Sequence, residues 1–250
     1  MPRSPLPYGV SYRFGPGPVT PAVKVLLVAN IALFVLELFM PVLVPLLGLS
    51  PAAVLHGWLW QPVTYMFLHH TGGFSHILFN MLALWMFGVD LERLWGTRFF
   101  FRFYFVCGIG AALTTIVVSL LPFAFAAGVY TATTVGASGA LYGLLLAYAY
   151  YYPDRPILMF LLFPLPAKYF VMILGAIAFL SSISGGSGVA HATHLGGLLA
   201  GYIYLKSGRG GLMAEIKYRW VKWKMNRLRR KFDVHPGGRG GNARWDRTIH

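Results

Sequence analysis

The chain has 250 residues, 57% of them hydrophobic and only 11% charged, with a net charge of +14. That balance is too apolar for an ordinary water-soluble domain and places the chain in the membrane class. The positive charge does not point to nucleic acid, because 13 of the 21 Lys and Arg fall in residues 206–247, outside the apolar part. A single cysteine, Cys107, excludes an internal disulfide and a multi-cysteine metal site, and its apolar surroundings read as inert packing.

Residues 1–21 form a Pro- and Gly-rich leader. The first apolar stretch begins near Val25 and no A-x-A site follows it, so it reads as a retained membrane helix rather than a cleaved signal. A membrane helix needs about 20 mostly apolar residues. Six segments approach that requirement: 22–41, 75–92, 99–121, 133–151, 165–183 and 190–206. Arg3, Arg13 and Lys24 precede the first or lie at its start; Arg93, Arg98 and Arg102 follow the second; Arg155 and Lys168 follow the fourth. The connections 42–74, 122–132 and 184–189 contain no Lys or Arg. Positive residues mark the cytoplasmic side, so six spans with both termini in the cytoplasm satisfy every loop.

Segment 42–68 is also apolar, but Pro41, Pro45, Pro51 and Pro62 stand in or beside it. Proline removes a backbone donor and clashes with the preceding turn. A seventh span there would also reverse every side assignment downstream. An extracytoplasmic loop lying partly in the membrane is expected instead, its backbone polar groups covered by protein. The predicted fold is an all-α polytopic membrane protein: a six-transmembrane-helix bundle over 22–206, with a membrane-embedded loop between helices 1 and 2. Residues 207–250 read as a basic cytoplasmic tail. Within it, 212–232 carries Ile216, Trp220, Trp223, Val221, Met225, Leu228 and Phe232 at helical spacing among many Lys and Arg. That pattern suits an interfacial helix on anionic lipid, set against the plainer reading of a tail that only fixes topology. Residues 236–250 are Gly-rich, polar and expected to be disordered.

Polar groups inside a span are costly and are functional candidates for that reason. The second span carries His76 and Asn80, four apart on one helix face. The fourth carries Ser138, and the sixth carries His194 with His191 one turn earlier. All three spans run from outside to inside, and these residues fall in their first two turns, so they share one depth in the outer part of the bilayer. Gly139, Gly143 and Ala147 form a small-residue row on span four, as do Gly197 and Gly201 on span six. Such rows let helix backbones approach, which would bring Ser138 near His194. Each motif alone is weak; their combination at matched depth is specific.

The motifs GASG at 136–139, HILFN at 76–80 and HLGGLLAG at 194–201, with ERLWG at 92–96, resemble those of the rhomboid intramembrane serine proteases, in family order. The resemblance covers roughly residues 20–206. It implies a catalytic dyad in which Ser138 is the nucleophile and His194 the general base. A serine hydroxyl is a poor nucleophile until a base takes its proton, and histidine does this near neutral pH. His76 and Asn80 match the oxyanion-side residues, with the Ser138 backbone N–H as a further donor. Tyr142 matches the tyrosine that packs on the catalytic histidine. Glu92 and Arg93 match a structural pair. Gly136 and Gly139 are expected to leave room around Ser138 for a substrate carbonyl and a neighbouring helix.

The acids in or beside the spans are read as Glu37, Asp90 and Glu92, the last two at the opposite membrane face, so a dyad is favoured over a triad. Gln61, after Trp60, stands where some relatives have arginine, which weakens the expectation that this loop has a polar anchor. His191 is expected to line the site, and His69 and His70 have no assigned role. The resemblance implies single-span membrane proteins as substrates, with a small residue preferred before the cut. A membrane helix hides its carbonyls in hydrogen bonds, so substrates with Gly, Pro or other weak helix formers near the outer end are expected. Substrate entry is expected beside span five. No metal, nucleotide or organic cofactor is implied. The expected location is a prokaryotic inner membrane. The competing readings are a catalytically inactive membrane-helix binding protein and a transporter using the histidines for protons or a metal. The intact Ser138, His194, His76 and Asn80 weigh against the first. The second lacks acidic partners in the spans and paired repeats.

Overall fold

The first helix, α1 (Pro21–Phe39), opens on Pro21, whose fixed φ suits a first helical position. Its first-turn amide groups, which lack partners within the helix, are capped from another helix. The Glu92 carboxylate, near the end of α5 (Ser75–Trp95), accepts the Ala22 and Val23 N–H groups at 2.9 and 3.0 Å. It also accepts the hydroxyls of Thr20 and Thr97. An anion at a helix N-terminus satisfies orphan donors and opposes the helix dipole. The neighbouring Arg93 donates to the carbonyls of Pro16 and Pro18, fastening the chain ahead of α1 to the same corner. The computed structural model describes residues 15–122, 124–159, 163–183 and 188–208, with residues 222, 225 and 227 of the tail.

Between α1 and α5 the chain makes three short helices, α2 (Leu43–Leu47), α3 (Pro51–Leu55) and α4 (Gln61–Thr64), and a 3₁₀ turn, Tyr65–Phe67. Pro51 and Pro62 stand in the first turns of α3 and α4, where a missing N–H is harmless. Gln61 is fully buried. Its Oε1 accepts the Ser50 N–H at 3.0 Å and its Nε2 reaches the Pro45 and Leu46 carbonyls at 3.4 and 3.5 Å. The Thr64 hydroxyl donates to the Leu47 carbonyl at 2.6 Å. The loop therefore has a polar anchor after all: an amide both donates and accepts, and it supplies the bonds that irregular buried backbone requires.

After α5, Gly96 at φ +79° turns the chain into α6 (Thr97–Ser119). Three departures from the hydropathy reading follow. The connection 122–132 contains a helix, α7 (Ala124–Thr131). The helix expected from 133 starts only at Ser138, as α8 (Ser138–Tyr151). Residues 132–137 run outside any helix because Thr134 pairs with Leu49 by two backbone hydrogen bonds, at 2.8 and 2.9 Å, and Gly136 takes φ +127°. Third, the fold is not purely helical. An antiparallel hairpin, β1 (Pro156–Met159) with β2 (Phe163–Pro166), pairs Ile157 with Leu165 and precedes α9 (Ala167–Ile183) and α10 (Gly188–Gly208).

α8 is lined by buried residues over most of its length, Gly139, Leu141, Leu144 and Tyr148 among them. Any Cβ on Gly197 of α10 would strike the Gly139 carbonyl, and one on Gly201 would lie 3.1 Å from the Gly143 Cα, so α8 and α10 touch backbone to backbone. Cys107 of α6 is buried against Gly143 and Gly201. Thr115 of α6 and Thr193 of α10, both buried, share a 2.7 Å hydrogen bond. Among the described residues, α1 and α6 are long and apolar enough to cross a membrane, with mean hydropathies of 2.2 and 1.8. α5 and α10 have 21 residues each but carry His, Asn, Asp, Glu, Arg or Lys.

The chain divides into two compact units, Met1–Leu205 and Lys206–His250. In the second, Lys222, Met225 and Arg227 are helical. The expectations for Arg3, Arg13, most of the 184–189 connection and the remainder of the tail, including its interfacial helix and its disordered end, lie outside the described residues.

Candidate active site

Ser138 is the first residue of α8, and His194 stands in the second turn of α10. Close contact of the two helices along their glycines puts the His194 Nε2 2.8 Å from the Ser138 Oγ. That is normal hydrogen-bond distance for a hydroxyl and a ring nitrogen. Tyr142, one turn beyond Ser138, stacks flat on the imidazole of His194, with centroids 4.2 Å apart and planes 8° from parallel. The tyrosine fixes the plane of the ring, and the serine lies in its edge. His191 sits edge-on, 6.1 Å from the His194 ring.

The turn ahead of Ser138 explains the glycine at 136. Its φ of +127° is a region that side chains rarely adopt, and its N–H donates to the Tyr65 carbonyl at 2.9 Å. A Cβ there would stand 3.1 Å from the Cε1 and Nε2 of His76 and 3.6 Å from the Ser138 Oγ. Gly136 is thus the gap across which His76 faces the serine. Gly139 looks elsewhere. A Cβ at that position would meet Ala111 at 2.8 Å, the Tyr65 hydroxyl at 3.0 Å and Thr193 at 3.3 Å, so it serves helix packing.

The protonation pattern of His76 follows from its neighbour. The His70 N–H donates to the His76 Nδ1 at 3.3 Å, so a neutral ring carries its proton on Nε2, the atom beside Gly136. Asn80 is buried, and its Nδ2 donates to the His76 carbonyl at 2.7 Å, which commits one of its two amide hydrogens to its own helix. The His69 ring is fully buried and lies 5.2 Å from that of His76. Burial, reinforced by the neighbouring His76, pushes the His69 imidazole down to about 4, so it is neutral at pH 7.

Sequence reasoning noted Glu37 among the acids of the spans but gave it no role. It is 1% exposed, and its carboxylate accepts the His69 N–H at 2.9 Å. The available signal was its position: an acid near the C-terminal end of an otherwise apolar helix. Among the described residues, no group of three or more His, Cys, Asp or Glu is arranged to hold a metal ion.

A serine hydroxyl at the start of a helix, bonded to a half-buried, stacked imidazole and with a second imidazole across a glycine gap, is an arrangement able to form and stabilise an acyl intermediate. Residues 56–208 match the model of the Rhomboid domain. The chain belongs to the rhomboid family. Rhomboids are integral membrane proteins, and the family includes intramembrane serine proteases. This rhomboid is 35% identical over 134 residues to the mitochondrial Rhomboid protein 1 of Saccharomyces cerevisiae, a match covering 52% of this chain and 37% of that protein. It is 31% identical over 144 residues to the rhomboid protease GluP of Bacillus subtilis, covering 57% of this chain and 25% of GluP. It is 34% identical over 155 residues to the rhomboid protease AarA of Providencia stuartii, covering 57% of this chain and 53% of AarA. The matches thus span from a quarter to about half the length of these relatives.

Proposed function

We propose that this rhomboid is an intramembrane serine endopeptidase that cuts membrane-spanning segments near their outer ends by a Ser138–His194 dyad. The observation that carries the reading is the 2.8 Å contact between the His194 Nε2 and the Ser138 Oγ, with Tyr142 stacked on the ring. In this mechanism Ser138 Oγ attacks the scissile carbonyl carbon as its proton passes to His194 Nε2. The carbonyl oxygen becomes an oxyanion, which receives the Nε2–H of His76 and the backbone N–H of Ser138. The latter is one of the unpaired donors at the start of α8, where the helix dipole also favours negative charge. Asn80 contributes its remaining amide hydrogen. His194 then protonates the leaving amine, and the chain leaves as the Ser138 ester forms. A water gives its proton to His194 and attacks the ester, and collapse of the second tetrahedral species returns the proton to Ser138 Oγ.

In this reading the substrates are single-span membrane proteins whose outer ends unwind easily. The working environment is the lipid bilayer, with the protein in a prokaryotic cell membrane. Six helices, α1, α5, α6, α8, α9 and α10, cross it with both termini in the cytoplasm, and the α2–α4 loop is embedded on the outer side. The apolar residues exposed on α1 and α9, such as Val28, Ile31, Met172 and Leu180, support lipid contact there. The domain limits are 1–21 for the leader, 22–206 for the membrane domain and 207–250 for a basic tail suited to anionic lipid.

Reconstituted in liposomes with a labelled single-span substrate carrying a Gly-rich outer segment, wild type is expected to cleave. Ser138→Ala and His194→Ala are each expected to lose about a hundredfold or more of that rate. Cleavage persisting in either variant removes that residue's role. Absence of cleavage by folded wild type on several substrates favours a membrane-helix binding protein.

A further inference from the structure

We infer that Glu37 is a positioning residue for the Ser138 site, acting through the 61–69 segment on both the turn before the serine and the oxyanion-side histidine. The inference rests on the serine-protease reading and names a residue that supports it. A buried carboxylate in an apolar helix is expensive unless it is well bonded. Glu37 accepts one hydrogen bond through Oε2, from the His69 N–H at 2.9 Å, and its buried Oε1 has no partner among the described residues. Packing of α1 alone does not require a polar group at that position.

What Glu37 grips is the end of a strut. The segment is anchored at Gln61 to the backbone of residues 45, 46 and 50. Midway, the Tyr65 hydroxyl donates to the Gly108 carbonyl of α6 at 2.8 Å, and the Tyr65 carbonyl accepts the Gly136 N–H at 2.9 Å. At the far end, His69 is held by Glu37 and its ring lies 5.2 Å from the His76 ring. The next residue, His70, donates its N–H to the His76 Nδ1. One carboxylate therefore fixes the point from which the chain sets both the tautomer of His76 and, through Tyr65, the turn that presents Ser138. With the His69 N–H released, the bond from His70 and the position of the His76 ring lose their fixed support. The barrier to oxyanion formation rises while substrate docking is little changed.

The test measures kcat and KM on the single-span substrate, per amount of folded enzyme, for wild type, Glu37→Leu, Glu37→Gln, Glu37→Asp and Ser138→Ala. Glu37→Leu is expected to lower kcat about tenfold or more with KM within about twofold of wild type. Glu37→Gln keeps an acceptor oxygen at the same reach and is expected to recover kcat to within about threefold of wild type. Glu37→Asp keeps the carboxyl group but withdraws the oxygen by one methylene, and its kcat should fall below that of Glu37→Gln. That comparison carries the test if Glu37→Leu does not fold. Equal kcat in Glu37→Gln and Glu37→Asp, wild-type kcat in Glu37→Leu, or a change confined to KM or to the yield of folded protein overturns the inference. Ser138→Ala as active as wild type overturns the serine reading itself, whatever the Glu37 variants do.

Discussion

Two physical demands meet at Gly136: a backbone angle of +127° and a gap filled by the His76 ring 3.1 Å from where a Cβ would stand. Gly136→Ala meets both penalties, and strain of this kind costs on the order of 1–3 kcal/mol. Turnover per folded enzyme should fall about tenfold or more, because the His76 ring or the turn must move; a wild-type rate would show that neither is held in place. The sequence made the pair of glycines beside Ser138 conspicuous, since glycine is unfavourable in a helix. It did not separate their jobs. Gly136 lies before the helix and opens the site, whereas Gly139 lies inside it and faces Ala111 and Thr193. The difference depends on where α8 begins, and that is set by the distant Leu49–Thr134 pairing together with the Gly136 backbone angle, neither of which hydropathy reports. Glu37 was noted but given no role for a related reason: its partner is the backbone of His69, and a backbone amide leaves no mark in a sequence.

Among the elements, α1 depends on a cap that it does not carry. Glu92 supplies acceptors to Thr20, Ala22, Val23 and Thr97, joining the start of α1, the end of α5 and the start of α6. Glu92→Ala should destabilise the fold by about 3 kcal/mol, since hydrogen bonds to a charged group are lost and buried donors are left bare. Thermal unfolding in detergent micelles checks this, and an unchanged midpoint would mean that water satisfies the α1 amides as well. Long apolar runs gave the helices α1, α5, α6, α9 and α10 to within a few residues, because length and hydropathy are local properties. Short elements were less legible. α2, α3, α4, α7 and the β1–β2 hairpin have four to eight residues each, too few for a periodic signal. Gln61 likewise read as a departure from a familiar pattern until its three backbone partners came into view.

For the whole molecule, the informative sequence feature was the agreement of three helices on one depth. His76, Asn80, Ser138 and His194 stand far apart in the chain, yet each falls near the same end of its helix. The small-residue rows on α8 and α10 supplied the missing distance, because backbones in contact leave little room between the side chains that flank them. The proposed function depends above all on activation of the Ser138 hydroxyl as a nucleophile by the His194 imidazole. Treatment of the folded protein with a fluorophosphonate, followed by mass spectrometry of its peptides, reads that activation without any assumption about the natural substrate. A phosphonate adduct is expected on Ser138 in wild type, strongly reduced in His194→Ala and absent in Ser138→Ala. An unmodified Ser138 in folded wild type, or equal labelling after His194→Ala, would contradict it.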